Sequence, residues 1–395
     1  MGEPNAGMSR KCHVPFTKMP PGRAARLLDN SVMRALLQAF SVLGALVASA
    51  AGCTCERTSS SMLAGREGAP SVTIQGAGAT FPYPLYSKWI FEYHKEHPNV
   101  RINYQSIGSG GGIRQVMAGT VDFGATDVAV TPSEAAKAHG KLQHLPMTLG
   151  AVAVTYNLGE VPGGLKLEPA TLVDIYRGKI TRWNSATILR TNPHALLPSR
   201  KIAVVYRSDG SGTTAVFTDY LAKTDPAWKQ EVGVGKSVQW PVGLGAKGNE
   251  GMTGQIRSTP GAIGYVELAY ALQNRMPVAA LKNRAGHFVE PDVQAIADAA
   301  ASQRLSDALH TSITDSSSPR AYPMASYSYV LVLEDLLGAN KGEELLKFLW
   351  WAVHDGQRFS APLHYAPLPA RVVAKVEARL KLLKAGGRRV LAGPG

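Results

Sequence analysis

The residues best placed to do chemistry are Arg207-Ser208-Asp209-Gly210-Ser211-Gly212-Thr213-Thr214. They follow a strand-like run, Ile202 to Tyr206, and lead into a helix-like one, Ala215 to Lys223. A strand, a glycine-broken loop and a helix aim free backbone N–H groups, and the positive end of the helix dipole, at one point. Ser211, Thr213 and Thr214 add hydroxyl donors there, and Arg207 adds a planar fork of N–H donors suited to an oxyanion. The chemistry of such a stretch is anion binding. Asp209, two residues from Arg207, is positioned to hold the guanidinium rather than touch a ligand.

Two more units of the same kind precede it. Val72-Thr73-Ile74 predicts a strand, Gly76-Ala77-Gly78-Ala79-Thr80-Phe81 a loop, and Pro82 to about His97 a helix. Proline suits the first turn because it gives up only an orphan N–H there. Leu85, Trp89 and Tyr93, four residues apart, form that helix's apolar face. Val100 to Tyr104 alternates as a strand, and Ser106-Ile107-Gly108-Ser109-Gly110-Gly111-Gly112 opens a helix with Ile113, Val116 and Met117 on one face. Singly, each glycine loop reads as an ordinary turn. Three of this composition, each before a helix, point to an oxyanion site on α/β domains with mostly parallel sheets.

Further strand and helix signals are Gly150 to Tyr156, Pro169 to Tyr176, a Gly-rich 243–254, Gly261 to Val266, and Tyr327 to Leu333. Residues 371–383 place Val372, Val373, Val376, Leu380 and Leu383 on one side of a basic amphipathic helix, which fits a helix docked on the body better than one lying on a membrane. Asp127 closes the run Val121 to Ala125 at the end where a ligand would lie. A carboxylate ~4 Å from an anion costs roughly 4 kcal/mol at an effective dielectric near 20. That cost is tolerable if the ligand carries a proton for the carboxylate to accept; a solvated or capping Asp is the plainer alternative.

Composition narrows the function. At 395 residues the chain can hold two domains, each with its own core. Of the net charge of +13, residues 1–70 carry eight Lys/Arg against four Asp/Glu and residues 371–395 seven against one, leaving +3 for the body. Charged tails on a near-neutral body give no nucleic-acid stripe. The three cysteines, Cys12, Cys53 and Cys55, all precede residue 56, so the body has no disulfide, thiolate nucleophile or cysteine metal site. The glycine loops lack the Gly-Lys-Ser/Thr of a nucleotide P-loop, and Gly210-Ser211-Gly212 lacks the glycine that completes a serine nucleophile elbow. No cofactor or metal is expected. Met33-Arg34, the apolar run Ala35 to Ala51 and the small residues before Cys53 make an export signal. Cleavage with secretion and lipidation of Cys53 stay open as its two outcomes, since Ala50 stands where a lipobox most often has Leu.

Taken together, Gly76 to Pro82, Ile107-Gly108-Ser109, Val121 to Asp127, Asp174 to Ile180, Arg207 to Thr213, Trp240 to Gly245 and Gly261 to Glu267 resemble, in order, the substrate-binding protein of the bacterial phosphate-specific ABC transporter. The similarity spans about residues 71–383. It implies a two-lobed periplasmic-binding-protein fold of type II, each lobe a mostly parallel sheet flanked by helices, with the ligand in the interlobe cleft. The implied division is an export segment 1–55 (true start at Met33 as the alternative), a linker 56–70, a first lobe from 71–152 plus 322–383, a second from 153–321, and a basic tail 384–395 expected to be a disordered, solvated end. The resemblance also implies phosphate contacts from Thr80, Phe81, Ser109, Asp127, Arg207, Ser211, Gly212 and Thr213, with Asp209 orienting Arg207 and Asp127 accepting the phosphate proton. Gly110, where relatives often have Ser, and Tyr206, where some have Arg, are departures that remove no ligand residue.

The expected function is capture of inorganic phosphate in the periplasm, free or anchored through Cys53, and delivery to a permease and ATPase complex, without a chemical step. A carrier of another oxyanion such as sulfate or arsenate, an exported phosphatase and an extracellular scaffold are the alternatives. A phosphatase would need a nucleophile with a base or a metal cluster.

Overall fold

An eight-stranded sheet runs through the molecule in the order β2-β1-β3-β8-β4-β7-β5-β6. Its strands are β1 (Val72–Gly78), β2 (Val100–Ser106), β3 (Phe123–Thr126), β4 (Leu142–Tyr156), β5 (Ala203–Arg207), β6 (Leu244–Ala246), β7 (Ala262–Glu267) and β8 (Ala325–Leu333). The computed structural model describes residues 72–391 apart from Pro162 and Leu337, all within one compact unit, Arg66–Gly395. The export signal, the three cysteines and the 56–70 linker lie outside the described residues.

Both ends of the sheet are parallel. On one side β1 pairs in parallel with β2 and β3, and on the other β5 pairs in parallel with β6 and β7. The centre is antiparallel: β8 lies between β3 and β4, and β4 pairs with β7. Thus two mostly parallel halves are joined through two long strands. From Gln143 onward β4 is buried at every residue, as expected for a strand covered on both faces. Its first half escapes the sequence pattern because Pro146 interrupts it. Proline is tolerated there by an irregularity: the β4–β8 register slips between Ser328 and Tyr329, passing over Met147.

Each parallel strand feeds a helix. The helix after β1, α1 (Tyr83–Glu96), takes Pro82 at its cap and Pro84 in its first turn, and buries Leu85, Trp89 and Tyr93. Trp89 Nε1 donates to Gly356 O at 2.7 Å, so the face that the four-residue spacing predicts also anchors the C-terminal region. After β2 comes α2 (Ser109–Met117), and after β5 comes α3 (Gly212–Thr224). The Gly-rich 243–254 resolves into a fourth unit of the same design, β6 followed by α4 (Gly248–Ser258).

At the C-terminus, α5 (Ala370–Leu380) docks with Val372, Val376 and Leu380 buried, followed by buried Leu383. Burial of such side chains stabilises by about 1.5–3 kcal/mol each, which favours docking over exposure. The expected disordered tail is corrected: Lys384–Ala385 pairs in parallel with Asp335–Leu336, and Arg388–Arg389 folds back antiparallel on it. Ala385 is 2% exposed, a burial that charge counting along the chain does not reveal.

Candidate functional site

Four helix beginnings converge where the two halves of the sheet meet. Thr80-Phe81 leads into α1, Gly108 caps α2, Ser211 caps α3, and Gly248-Asn249 opens α4. Each contributes N–H groups with no partner inside its own helix, and a partial positive charge, to the same point. Thr80, Ser109, Arg207, Ser211 and Thr213 are all buried there.

Arg207 ends β5, with its backbone N–H donating to Tyr265 Oη at 3.2 Å. The guanidinium meets Asp209 side-on, Nε to Oδ1 at 2.7 Å and Nη2 to Oδ2 at 2.6 Å, while Nη1 reaches Thr213 Oγ1 at 3.4 Å. Asp209 therefore fixes the fork and leaves its remaining edge toward Thr213, as its spacing from Arg207 implies. Burial pushes the Asp209 carboxyl up, but the bonds and charge of Arg207 outweigh this and hold it below the usual range. Asp209 Oδ1 also accepts from Gly248 N at 3.0 Å, tying α4 to the site.

From the other half of the sheet comes Asp127, 2% exposed at the end of β3. Register explains its surroundings. Tyr329 of β8 stands opposite Thr126, which sets Ser326 and Ser328 beside the next residue. Ser328 Oγ donates to Asp127 Oδ1 at 2.8 Å, and Ser326 Oγ to its backbone carbonyl at 3.0 Å. Ser109 Oγ lies 3.4 Å from Oδ2. Burial pushes the Asp127 carboxyl up to about 7, against the pull of Ser328, Arg207 and Ser109. At 2% exposure the carboxyl is not solvated, and its partners among the described residues are serine hydroxyls rather than the first amides of a helix.

Two glycines permit the close approach. Gly108 has φ +88°, and a Cβ on it would stand 2.4 Å from Asp209 Oδ2. A Cβ on Gly212 would stand 2.4 Å from both Asp127 Oδ2 and Ser109 Oγ. The halves also bond directly: Gly212 N donates to Ser109 Oγ at 3.1 Å and Gly110 N to Gly210 O at 2.8 Å. At the rim, Lys236 pairs with Glu134 at 2.8 Å.

Of the residues expected from sequence, Thr80, Thr213, Arg207 and Asp209 join one hydrogen-bonded network through Asn249, and Ser109, Asp127 and Gly212 form a second one beside it. Ser211 spends its oxygen on the cap, accepting from Thr214 N at 3.0 Å, and keeps its proton to give. Phe81 is held through its backbone: Tyr365 Oη bonds its carbonyl at 2.7 Å, while Tyr270 Oη bonds that of Thr80 at 2.7 Å. Because a trans peptide sets C=O opposite the following N–H, fixing the Thr80 carbonyl fixes the direction of the Phe81 N–H. Tyr206 packs away from this point, stacked on Trp240 with ring centroids 5.3 Å apart.

Sequence reasoning misses Ser326, Ser328, Asn249, Tyr270 and Tyr365. Two serines at a spacing of two in an otherwise apolar strand was the one available signal for the first pair. In the sequence Glu267 stands out only as the last residue of the stretch Gly261 to Glu267. It lies wholly buried, and burial pushes its carboxyl well above the ordinary range against bonds from Tyr365 Oη at 3.0 Å and Ala269 N at 2.8 Å. Among the described residues its Oε1 has no hydrogen-bond partner, as a neutral acid would leave it. Among the described residues no group of three or more His, Cys, Asp or Glu is arranged to hold a metal ion.

Residues 64–355 match the family model of the PBP superfamily domain. The phosphate-binding protein PstS of Xylella fastidiosa (strain Temecula1) is 45% identical over 311 residues, covering 78% of this chain and 85% of that protein. The PstS protein of Methanocaldococcus jannaschii is 38% identical over 320 residues, covering 75% of this chain and 82% of that one. In fold, the chain resembles the phosphate-binding protein from Stenotrophomonas maltophilia with a TM-score of 0.61, at 20% identity, over 78% of this chain and 94% of that structure. The strand order, the convergent helix starts and these similarities agree on one assignment: the chain belongs to the PstS family of phosphate-binding proteins, within the PBP superfamily.

Proposed function

We propose that the chain captures inorganic phosphate outside the cytoplasmic membrane and delivers it to an ABC transporter for import. The observation that carries this reading is the pairing, across the centre of the sheet, of a donor-rich half around Arg207 with a buried carboxyl, Asp127, raised to about 7. Arg207, the Phe81 and Gly212 N–H groups and the hydroxyls of Thr80, Ser109, Ser211 and Thr213 donate to the ligand oxygens. Asp127 accepts the proton that phosphate still carries. A protonless dianion such as sulfate would leave that acceptor facing charge with nothing to share, a repulsion and an unpaired buried group together. Arsenate carries a proton as phosphate does and passes the same filter. No bond is made or broken.

The lobes are residues 71–152 plus 322–383 and residues 153–321, and they close on the ligand through the central strands. Closure also forms the face presented to the permease and its ATPase. The export segment takes the chain across the inner membrane, and Cys53 is the residue that would carry a lipid anchor; labelled fatty acid that persists in Cys53→Ser would remove that assignment. Calorimetry of the purified chain tests the function itself: phosphate and arsenate give saturable heat. Silence with phosphate would end the reading.

A further inference from the structure

Asn249, in the first turn of α4, is fully buried and lies where four site elements meet. Its Oδ1 accepts from Glu267 N at 3.0 Å, which fixes the orientation of the carboxamide. Its Nδ2 therefore faces the two threonines, at 2.8 Å from Thr80 Oγ1 and 3.3 Å from Thr213 Oγ1, one proton for each. Its own backbone N–H lies a further 3.2 Å from Thr80 Oγ1, and Arg207 Nη1 lies 3.4 Å from Thr213 Oγ1.

A hydroxyl has two acceptor lone pairs and one proton. Two donors converge on each of these oxygens, so the lone pairs are taken and only the proton is left to offer. We propose that Asn249 is a positioning residue that sets the donor polarity of the site. It makes Thr80 and Thr213 one-way donors, and so selects the ligand's deprotonated oxygens at their positions. Asp127, which can only accept when ionised, fixes where the ligand's one proton goes; Asn249 then fixes where protons may not be. The proposal rests on the phosphate-capture reading, and it makes dibasic phosphate the preferred form over monobasic, whose second proton would meet a hydroxyl unable to accept it. Because Thr80 belongs to the β1 half of the sheet and Asn249 to the β6 half, this polarity is complete only when the halves meet.

The experiment is phosphate calorimetry on the full chain at two pH values, one on each side of the second ionisation of phosphate. Wild type, Asn249→Ala, Thr80→Val and the double variant are compared. The proposal expects Asn249→Ala to weaken binding about 10-fold or more at the higher pH and less than about 3-fold at the lower, where a freed hydroxyl can accept the extra proton. It also expects Thr80→Val to cost about 10-fold in wild type and under about 3-fold in the Asn249→Ala background, since the hydroxyl's fixed direction is then already lost. Equal losses at the two pH values, or a Thr80→Val cost that simply adds, would overturn it, because a packing role predicts both. Should Asn249→Ala fail to melt cooperatively, Asn249→Leu, which keeps the volume without the donors, is judged by the same two criteria. A wild type that gives no heat with phosphate at either pH would instead overturn the capture function.

Discussion

Replacing Asp127 by Asn changes one atom's role and should change which anion the site accepts. In the wild type Ser328 holds Oδ1 at 2.8 Å, so Oδ2, with Gly212 packed against it, is the oxygen turned toward the ligand. Asparagine presents an amide donor there in place of an acceptor. Phosphate then loses a charge-assisted hydrogen bond, about 1.5–3 kcal/mol, or roughly 10-fold to 100-fold in affinity. Sulfate is relieved of a repulsion of at most about 4 kcal/mol at ~4 Å and gains a donor. Even with half of that relief realised, the phosphate-to-sulfate ratio should fall by about 1,000-fold. The pH dependence supplies an internal control. In the wild type sulfate needs Asp127 protonated, so its affinity should level off below about 7 and fall as pH rises above that value. In Asp127→Asn the sulfate profile should be flat across the same range. Calorimetric titration with each anion at several pH values reads both effects. An unchanged ratio, or a sulfate profile that stays flat in wild type, would refute the role of Asp127.

Three further outcomes are expected. Arg207→Lys keeps a charge but cannot bond both oxygens of Asp209, and phosphate affinity measured by calorimetry should drop by about 100-fold or more. Ligand-free stability should depend on pH through Asp127, whose carboxyl rises from 3.8 to about 7 on folding. The neutral acid binds its proton more tightly when folded, so its stabilisation is complete below 3.8 and is lost as pH rises through about 7. That loss is on the order of 4 kcal/mol by linkage. Glu267, also raised by burial, acts in the same direction. Thermal melts should show a lower midpoint above about 7 than below it, with a shallower slope in Asp127→Asn. Finally, Leu380→Ala should destabilise the fold by about 2–5 kcal/mol in denaturant titration while leaving phosphate affinity unchanged, because that side chain only docks α5.

The local units were legible because each carries its own punctuation. Pro82 and Pro84 start α1, and Leu85, Trp89 and Tyr93 mark its buried face. The glycine loops mark each junction of strand and helix, but the expected loops run too long: Gly76 to Gly78 belong to β1, Ser109 to Gly112 to α2 and Gly212 to Thr214 to α3. What was not legible depends on pairing across distance. Pro146 hid the first half of β4, and only the partner strand β8 reveals how the sheet absorbs it. Ser328 is unremarkable until the register with β3 sets it beside Asp127. Asn249 sits in a glycine-rich run whose side chain acquires meaning only where Thr80, Thr213 and Glu267 surround it. The basic C-terminus misled because its charges are exposed while Leu383 and Ala385 between them are buried. The residues named from the family resemblance lie closer together than composition or periodicity alone would have indicated. Seven of those nine positions fall into two adjoining hydrogen-bonded groups, because a binding loop's backbone is fixed by the same short motif that supplies its donors.

The most direct test of the central claim, that a buried carboxyl selects a protonated tetrahedral anion, is competition calorimetry between phosphate and sulfate on the wild type at about pH 8, where Asp127 is ionised. The account predicts that phosphate is bound undiminished by excess sulfate. Displacement of phosphate by sulfate at comparable concentration would contradict it.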